Sequence, residues 1–244
     1  MKAVVTAGGR IDGAFASAAG TRVKALAAVH GMTMLARVLD ALRGCGADRI
    51  AVIGGDEVRA ACAPAVEQLI EESPSGSKNL LRALRAWPED GEPLLYATSD
   101  LPYINAAAVR DFIERVPEGT LGVPLAEFSA YAARFPQAPP TGITLAGERV
   151  VNGGVFLLPP DSAPLLAGAA TAIFESRKRP WRMASLIGPA ALIRFALGRL
   201  SVANLEATAQ RVLQLRACAV RACAPELAFD VDTAAEYAYA TENR

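Results

Sequence analysis

The sequence predicts an α/β fold built on a doubly wound, mostly parallel sheet, and three observations carry that expectation. Short apolar, β-branched runs alternate with segments of helical periodicity through the first 120 residues. The first run, Ala3 to Val5, breaks at Ala7-Gly8-Gly9 into a loop rich in Gly, Ala and Ser that closes on Gly20-Thr21-Arg22 and Lys24. A later run, Leu94 to Thr98, passes directly into Ser99-Asp100-Leu101-Pro102, which places a carboxylate at the carboxyl end of a buried strand.

Each element has its own signal. Leu35, Val38, Leu39 and Leu42 recur at helical spacing, with Gly44 and Gly46 to stop the helix. Arg49 to Ile53 is a strand ending in Gly54-Gly55, and a short helix follows from about Glu57. Gln68 to Glu71 is a weaker strand that leads into Ser73-Pro74-Ser75-Gly76-Ser77, where Ser77 is placed to cap a helix carrying Leu80, Leu81 and Leu84. Asn105 caps a helix that turns Val109, Phe112, Ile113 and Val116 inward. The second half holds strand-like runs at Leu121 to Pro124, Ile143 to Leu145 and Val150 to Leu158, the last broken by Asn152-Gly153-Gly154. A helical lobe is expected over 162–214, with Arg177-Lys178-Arg179-Pro180-Trp181 inside it. Strands then return at Ala217 to Cys223 and Leu227 to Val231, and Thr233 with Glu236 forms a capping box for the last helix. One domain over 1–244 is the simplest account, with a nucleotide-binding half (1–120) and an acceptor-binding half (121–244).

Composition narrows the function. Twenty-five basic and 25 acidic residues give zero formal charge, which disfavours a nucleic-acid face. The longest apolar stretches are interrupted by Pro, Gly or Arg, so no membrane span is expected. A strand that begins by residue 3 leaves no room for a signal peptide, and the expected location is cytoplasmic. Cys45, Cys62, Cys218 and Cys223 lack CxxC spacing and share the chain with one His, so they are expected to be reduced apolar residues rather than zinc ligands.

The Gly-rich loop is written like a phosphate cradle. Glycines let backbone N–H groups approach an anion, and Arg22 and Lys24 can neutralise a polyphosphate. The same stretch is also how an ordinary strand-to-helix turn is written. Asp100 and Asp232, with Asp230 beside the latter, could hold a hard divalent cation if the last strand lies close to the first. Mg²⁺ suits such a site because it takes one or two carboxylates and completes its shell with water and phosphate oxygens. Taken singly, each Asp is equally a helix-cap or turn residue.

Together, Ala7-Gly8-Gly9, Lys24-Ala25-Leu26 with Gly31 to Leu35, Ser99-Asp100-Leu101-Pro102 and Asp230-Val231-Asp232-Thr233 resemble the signature series of the MobA-like nucleotidyltransferases. The resemblance implies a Rossmann-like three-layer sandwich of the glycosyltransferase-A, nucleotide-diphospho-sugar transferase type. It also implies transfer of a nucleoside monophosphate from an NTP, GTP or CTP favoured, to a phosphorylated or hydroxyl-bearing small-molecule acceptor, with Mg²⁺ (or Mn²⁺) and release of pyrophosphate. On that basis Lys24, Arg22 and Asp100 are the catalytic candidates, and Asp100, Asp232 and Asp230 the metal ligands. Ala7, Gly8, Gly9, Gly20, Thr21, Ser75, Gly76, Asn79 and Ser99 would bind nucleotide. Read from the residues themselves, Asn152 and Gly153 either bring backbone close to an acceptor or form a bulge, and Lys178 either receives an acceptor phosphate or is a cation at a helix end. The chain departs from the family pattern where Ile11 to Ala19 lengthens the gap between the glycine pair and Arg22. Two alternatives stand beside this expectation: a glycosyltransferase using Asp230-Val231-Asp232 as a DxD pair, and a nucleotide-binding protein without turnover. The expected assembly is a monomer or homodimer.

Overall fold

The computed structural model describes residues 1–176 and 188–243. Its sheet is organised by β1 (Lys2–Thr6), whose Ala3, Val4 and Val5 are fully buried. A strand covered on both faces reads as a continuous apolar run, and KAVVT is written that way. β1 pairs in parallel with β4 (Arg49–Gly54) on one side and β6 (Leu94–Thr98) on the other, and β5 (Gln68–Glu71) extends the sheet beyond β4. Past β6 the sheet continues through β10 (Val155–Leu158), β7 (Leu121–Glu127), β9 (Glu148–Asn152) and β8 (Ile143–Leu145), all paired antiparallel, while β11 (Ala217–Val220) lies parallel to β7. The strand order β5-β4-β1-β6 reverses direction at β1. In an open α/β sheet the ligand crevice opens at such a switch point, outside the carboxyl ends of the strands. Here those ends are Ala7-Gly8-Gly9 after β1 and Ser99-Asp100 after β6.

Helices cover both faces, so the three-layer α/β expectation holds. On one face α2 (Met34–Gly44), capped by Thr33 accepting from the Ala36 N–H, packs beside α5 (Ala106–Arg115), capped by Asn105 accepting from the Ala108 N–H. A side chain on Gly44 would stand 2.7 Å from the Ala106 methyl, so the two helices meet where only hydrogen fits. α3 (Asp56–Cys62) adds Val58 and Cys62 to this core. The other face is covered by α4 (Gly76–Leu84), α7 (Ala163–Ser176) and α9 (Val202–Leu213), around Leu84, Leu94, Leu158, Leu166 and Leu213. α6 (Phe128–Arg134) and α10 (Ala234–Glu242) enclose an aromatic cluster centred on Phe229. α8 (Pro189–Ala196) packs Ala191 against Leu200 and Val202. Among the described residues no helix is long and apolar enough to cross a membrane.

Three local expectations are corrected. Residues 11–22 are not a loop closing around an anion. They form an excursion carrying α1 (Gly13–Ala19), whose Phe15 packs 5.1 Å from Tyr237. Gly20 in the left-handed region (φ 66°) is that helix's C-cap. A 3₁₀ turn (Lys24–Leu26) and a hairpin of β2 (Ala28–Val29) and β3 (Met32–Thr33) lead from Lys24 to α2, which carries the expected repeat of Leu35, Val38, Leu39 and Leu42. Leu227 to Val231 is not a strand: Leu227, Ala228, Phe229 and Val231 are buried, but the segment begins in a 3₁₀ turn (Pro225–Leu227) and has no ladder partner among the described residues. Its Phe229 packs against Tyr131 and Phe135. Finally, α4 begins at Gly76 after Ser75, and buried Ser77 shares a hydrogen bond with the Ser75 hydroxyl instead of capping the helix.

Candidate active site

A cleft of about 1330 Å³ opens at the carboxyl ends of the parallel strands. Its polar end is formed by Thr6, Gly8, Gly9, Arg10, Lys24, Glu72, Asn79, Ser99, Asp100 and Asp232, and its apolar end includes Leu80, Leu84, Tyr96, Leu121, Phe156 and Leu158.

The polar end is assembled by the way the long excursion closes. Ile11 N–H donates to the Arg22 carbonyl (3.0 Å) and Lys24 N–H to the Gly9 carbonyl (2.9 Å), so Arg10 and Val23 form an isolated antiparallel bridge. These bonds seal the insertion at its base. Lys24 therefore sits against Gly9 although 14 residues separate them, and a β-carbon on Gly9 would come 3.2 Å from the Lys24 Cε. Gly9 is the residue that lets the lysine stem lie along the turn.

Lys24 Nζ donates to Asp100 Oδ2 and to Asp232 Oδ1, each at 2.5 Å. Asp100 is held by its position after β6. Asp232 is brought to it by a backbone bond from the Val231 N–H to the Asp100 carbonyl (3.0 Å), with Val231 fully buried. Glu236 fixes the turn by accepting from the Asp232 and Thr233 N–H groups at 2.8 and 2.7 Å, within the predicted capping box. The beginning, middle and end of the chain thus meet at one ammonium group. Burial opposes the charge on Lys24, but Asp100 and Asp232 outweigh it and hold the ammonium above its ordinary pKa. The Asp100 Oδ1 atom is buried with no hydrogen-bond partner among the described residues. Asp230, exposed as a residue, has its carboxyl crowded by neighbouring atoms and facing the charges of Asp100 and Asp232, which push it up to about 6.

Arg10 is the second cation of the cleft. Its guanidinium pairs with Glu57 at 2.9 Å and Glu72 at 2.5 Å. The Glu72 carboxylate lies over Gly8, where any side chain would collide with it. Asn79 clamps the loop before α4, accepting from the Ser73 N–H (2.6 Å) and donating to the Ser73 carbonyl (2.9 Å).

The expected residues therefore separate into groups. Gly8, Gly9, Lys24, Gly76, Asn79, Ser99, Asp100 and Asp232 line the cleft. Ala7 is fully buried beneath it, its N–H bonded to Ile53, and Ser75 belongs to the adjoining loop. Gly20, Thr21 and Arg22 do not line it: they form the turn after α1, with the Thr21 hydroxyl accepting from the Val23 N–H and Arg22 exposed. Asp230 does not line it either. Asn152 ends β9, and Gly153 packs where a β-carbon would meet the Leu227 carbonyl at 2.6 Å; neither lines the cleft. Lys178, with Arg177, Arg179, Trp181 and Arg182, lies outside the described residues. Sequence reasoning missed Arg10, Glu72 and the Thr6–Tyr96 hydroxyl pair (2.9 Å). Position alone marked two of them, since Arg10 directly follows the glycine pair and Glu72 directly follows β5.

Could these residues hold a divalent ion? Among the described residues no cluster of three or more Cys, His, Asp or Glu side chains is placed to do so. A Mg²⁺-type site needs fewer, because substrate phosphates and water complete the shell. Asp100 and Asp232 meet that lower requirement: both are hard oxygen donors converging on one cation, and Asp100 keeps a buried, unpartnered oxygen.

The chain is similar to known proteins. The family profile of the MobA-like NTP transferase domain matches residues 3–227. A hypothetical transferase from Thermus thermophilus is 31% identical, with 97% of this chain and 98% of that chain covered and a TM-score of 0.85. At lower identity the fold recurs in Rv0371c of Mycobacterium tuberculosis in complex with manganese (19%, covering 100% and 98%, TM-score 0.54). It recurs also in CMP:2-keto-3-deoxy-manno-octonic acid synthetase complexed with CTP (15%, covering 96% and 94%, TM-score 0.56). No curated protein gives a significant match. With the profile spanning most of the chain and the glycine turn, Lys24, Asp100 and Asp232 converging in one cleft, the chain belongs to the MobA-like NTP transferase domain family.

Proposed function

We propose that the protein is a divalent-metal-dependent nucleotidyltransferase that moves a nucleoside monophosphate from GTP or CTP to a phosphorylated or hydroxyl-bearing small molecule and releases pyrophosphate. One observation carries the proposal: three segments far apart in sequence place Lys24, Asp100 and Asp232 on a common point beside the Gly8–Gly9 turn.

An NTP brings about four negative charges, and a nucleophile cannot approach the α-phosphorus until they are offset, so catalysis rests on positioning and electrostatics. Asp100 and Asp232 would hold Mg²⁺, which supplies Lewis-acid neutralisation of phosphate charge. Lys24 and Arg10 supply fixed positive charge on either side of the turn, and the Gly8–Gly9 backbone lets the phosphates approach closely. Arg10 takes the role first assigned to Arg22, which faces solvent. The Asn79 clamp holds the 73–75 loop as a wall for the base, and the apolar end of the cleft offers ring or hydrocarbon contacts to base or acceptor. The placement of Asp230 outside the cleft weighs against the glycosyltransferase alternative, which needs both carboxylates of the pair.

The test is a pyrophosphate-release assay with GTP, CTP and Mg²⁺ across a panel of phosphorylated and hydroxyl acceptors. Release with at least one acceptor, abolished by Asp100→Asn, is expected. Metal-dependent NTP binding with no release across the panel would favour a non-catalytic nucleotide-binding role.

A further inference from the structure

We propose that Lys24 is a built-in competitor for the cation site: its ammonium occupies the gap between Asp100 and Asp232, and a divalent ion enters only by driving it out toward the phosphates. The inference rests on the nucleotidyl-transfer reading and adds a means of coupling to it.

Three features of the site lead there. First, one nitrogen lies 2.5 Å from an oxygen of each carboxylate, so those oxygens are at most about 5 Å apart, within about 1 Å of the roughly 4 Å that trans oxygens on one octahedral Mg²⁺ span. An ammonium and a dication cannot share that gap. Second, the ion pair is sheltered: the Lys24 and Asp100 side chains are 16% and 13% exposed, whereas Asp232 is 66% exposed and leaves a route in from solvent. Third, Lys24 is tethered at its root and free at its tip. Its backbone is bonded to Gly9 and its stem lies along the glycine turn, so the ammonium can swing by rotamer change without moving the chain.

The consequence is linkage. A metal ion alone must displace the ammonium, and a bare triphosphate must draw Lys24 away from two carboxylates. When both bind, the ion replaces Lys24 on the carboxylates and the phosphates replace the carboxylates on Lys24. Each ligand therefore removes the obstacle to the other.

The experiment measures Mn²⁺ binding to metal-stripped full-length protein without nucleotide, by the loss of the free-ion EPR signal. Lys24→Met is expected to bind Mn²⁺ at least about tenfold more tightly than the wild type, the gain when a competent state rises from one-tenth to full occupancy. Lys24→Arg, which keeps the charge, should stay weak. A wild-type measurement covers the case in which Lys24→Met fails to fold: saturating Mn²⁺ should expose Lys24 and raise its labelling by an acylating reagent, relative to buried Lys2 and exposed Lys78. Equal or weaker Mn²⁺ binding by folded Lys24→Met, or Mn²⁺ that leaves Lys24 labelling unchanged, overturns the inference. A thermal-shift titration with Mg·GTP and Mg·CTP separates the two levels. If the wild type responds to Mg·NTP while Lys24→Met gains no Mn²⁺ affinity, only the competitor role falls. If no form of the protein binds Mn²⁺ or Mg·NTP, the transfer reading falls and takes this inference with it.

Discussion

Two cations flank the Gly8–Gly9 turn, and each is paired with two carboxylates, yet they sit at different depths. Lys24 lies between Asp100 and Asp232 with a side chain 16% exposed, whereas Arg10 lies between Glu57 and Glu72 with one 47% exposed. Depth changes what the same chemistry does. Around Lys24 the low local dielectric makes every unpaired charge costly, so the cluster is a fixed site whose occupant can be exchanged but not omitted. Around Arg10 water screens the Glu57 pair, which contributes roughly 0–1 kcal/mol, and reaches the guanidinium side of the pair with the more sheltered Glu72, so the guanidinium is the more easily drawn to a phosphate. The buried cluster is suited to chemistry and the exposed one to capture.

The contrast breaks most visibly if the buried cluster proves dispensable. Asp100→Asn should lower kcat by on the order of 10²–10³-fold, the loss expected for one preorganised electrostatic group. Steady-state pyrophosphate release measures it, and near-normal turnover would remove Asp100 from the site. Lys24→Met should lower kcat/KM for the NTP by about thirtyfold, in line with one sheltered charge-assisted hydrogen bond. Arg10→Ala is expected to raise KM about fivefold with kcat little changed, and that penalty should shrink as salt is added while the Lys24 effect persists. A salt response of equal size for both variants would erase the distinction between capture and chemistry.

The smallest effect on activity belongs to a third ion pair that sharpens the comparison from outside the cleft. Buried Lys2 donates to Asp90 at 2.6 Å and to the Pro88 carbonyl at 2.9 Å. The hydrogen bond from Lys2, aided by Arg49, holds the Asp90 carboxyl well below the usual carboxylate range. A depressed acid contributes stability above its unfolded value, about 3.8, and sheds it as pH falls from there toward the folded value. Asp90→Asn should therefore lower the urea midpoint at pH 7, converge with the wild type in acid below that value, and leave nucleotide turnover unchanged.

The sequence revealed those parts of the site that are local in sequence. β1, β6, α2 and α5 are marked by runs, periodicity and caps, and Asp100 by its place at a strand's carboxyl end. Asp232 was legible through the capping box that follows it. What was hidden depends on pairing across distance. The bridge of Arg10 to Val23 turns an apparent phosphate loop into a sealed excursion, and it exchanges Arg22 for Arg10 as the cleft's arginine. The apolar run at Leu227 to Val231 signalled burial correctly but not the absence of a partner strand among the described residues. Gly153 was expected beside an acceptor or in a bulge, and the structure packs it against the Leu227 carbonyl.

The most direct test of the Lys24, Asp100 and Asp232 constellation as a metal–triphosphate site is equilibrium binding of GTP and CTP by calorimetry, with Mg²⁺ and with chelator, to wild type and Asp100→Asn. At least one of the two nucleotides should bind the wild type tightly only when Mg²⁺ is present, and the substitution should abolish that dependence. Nucleotide binding of equal strength in all four conditions would contradict it.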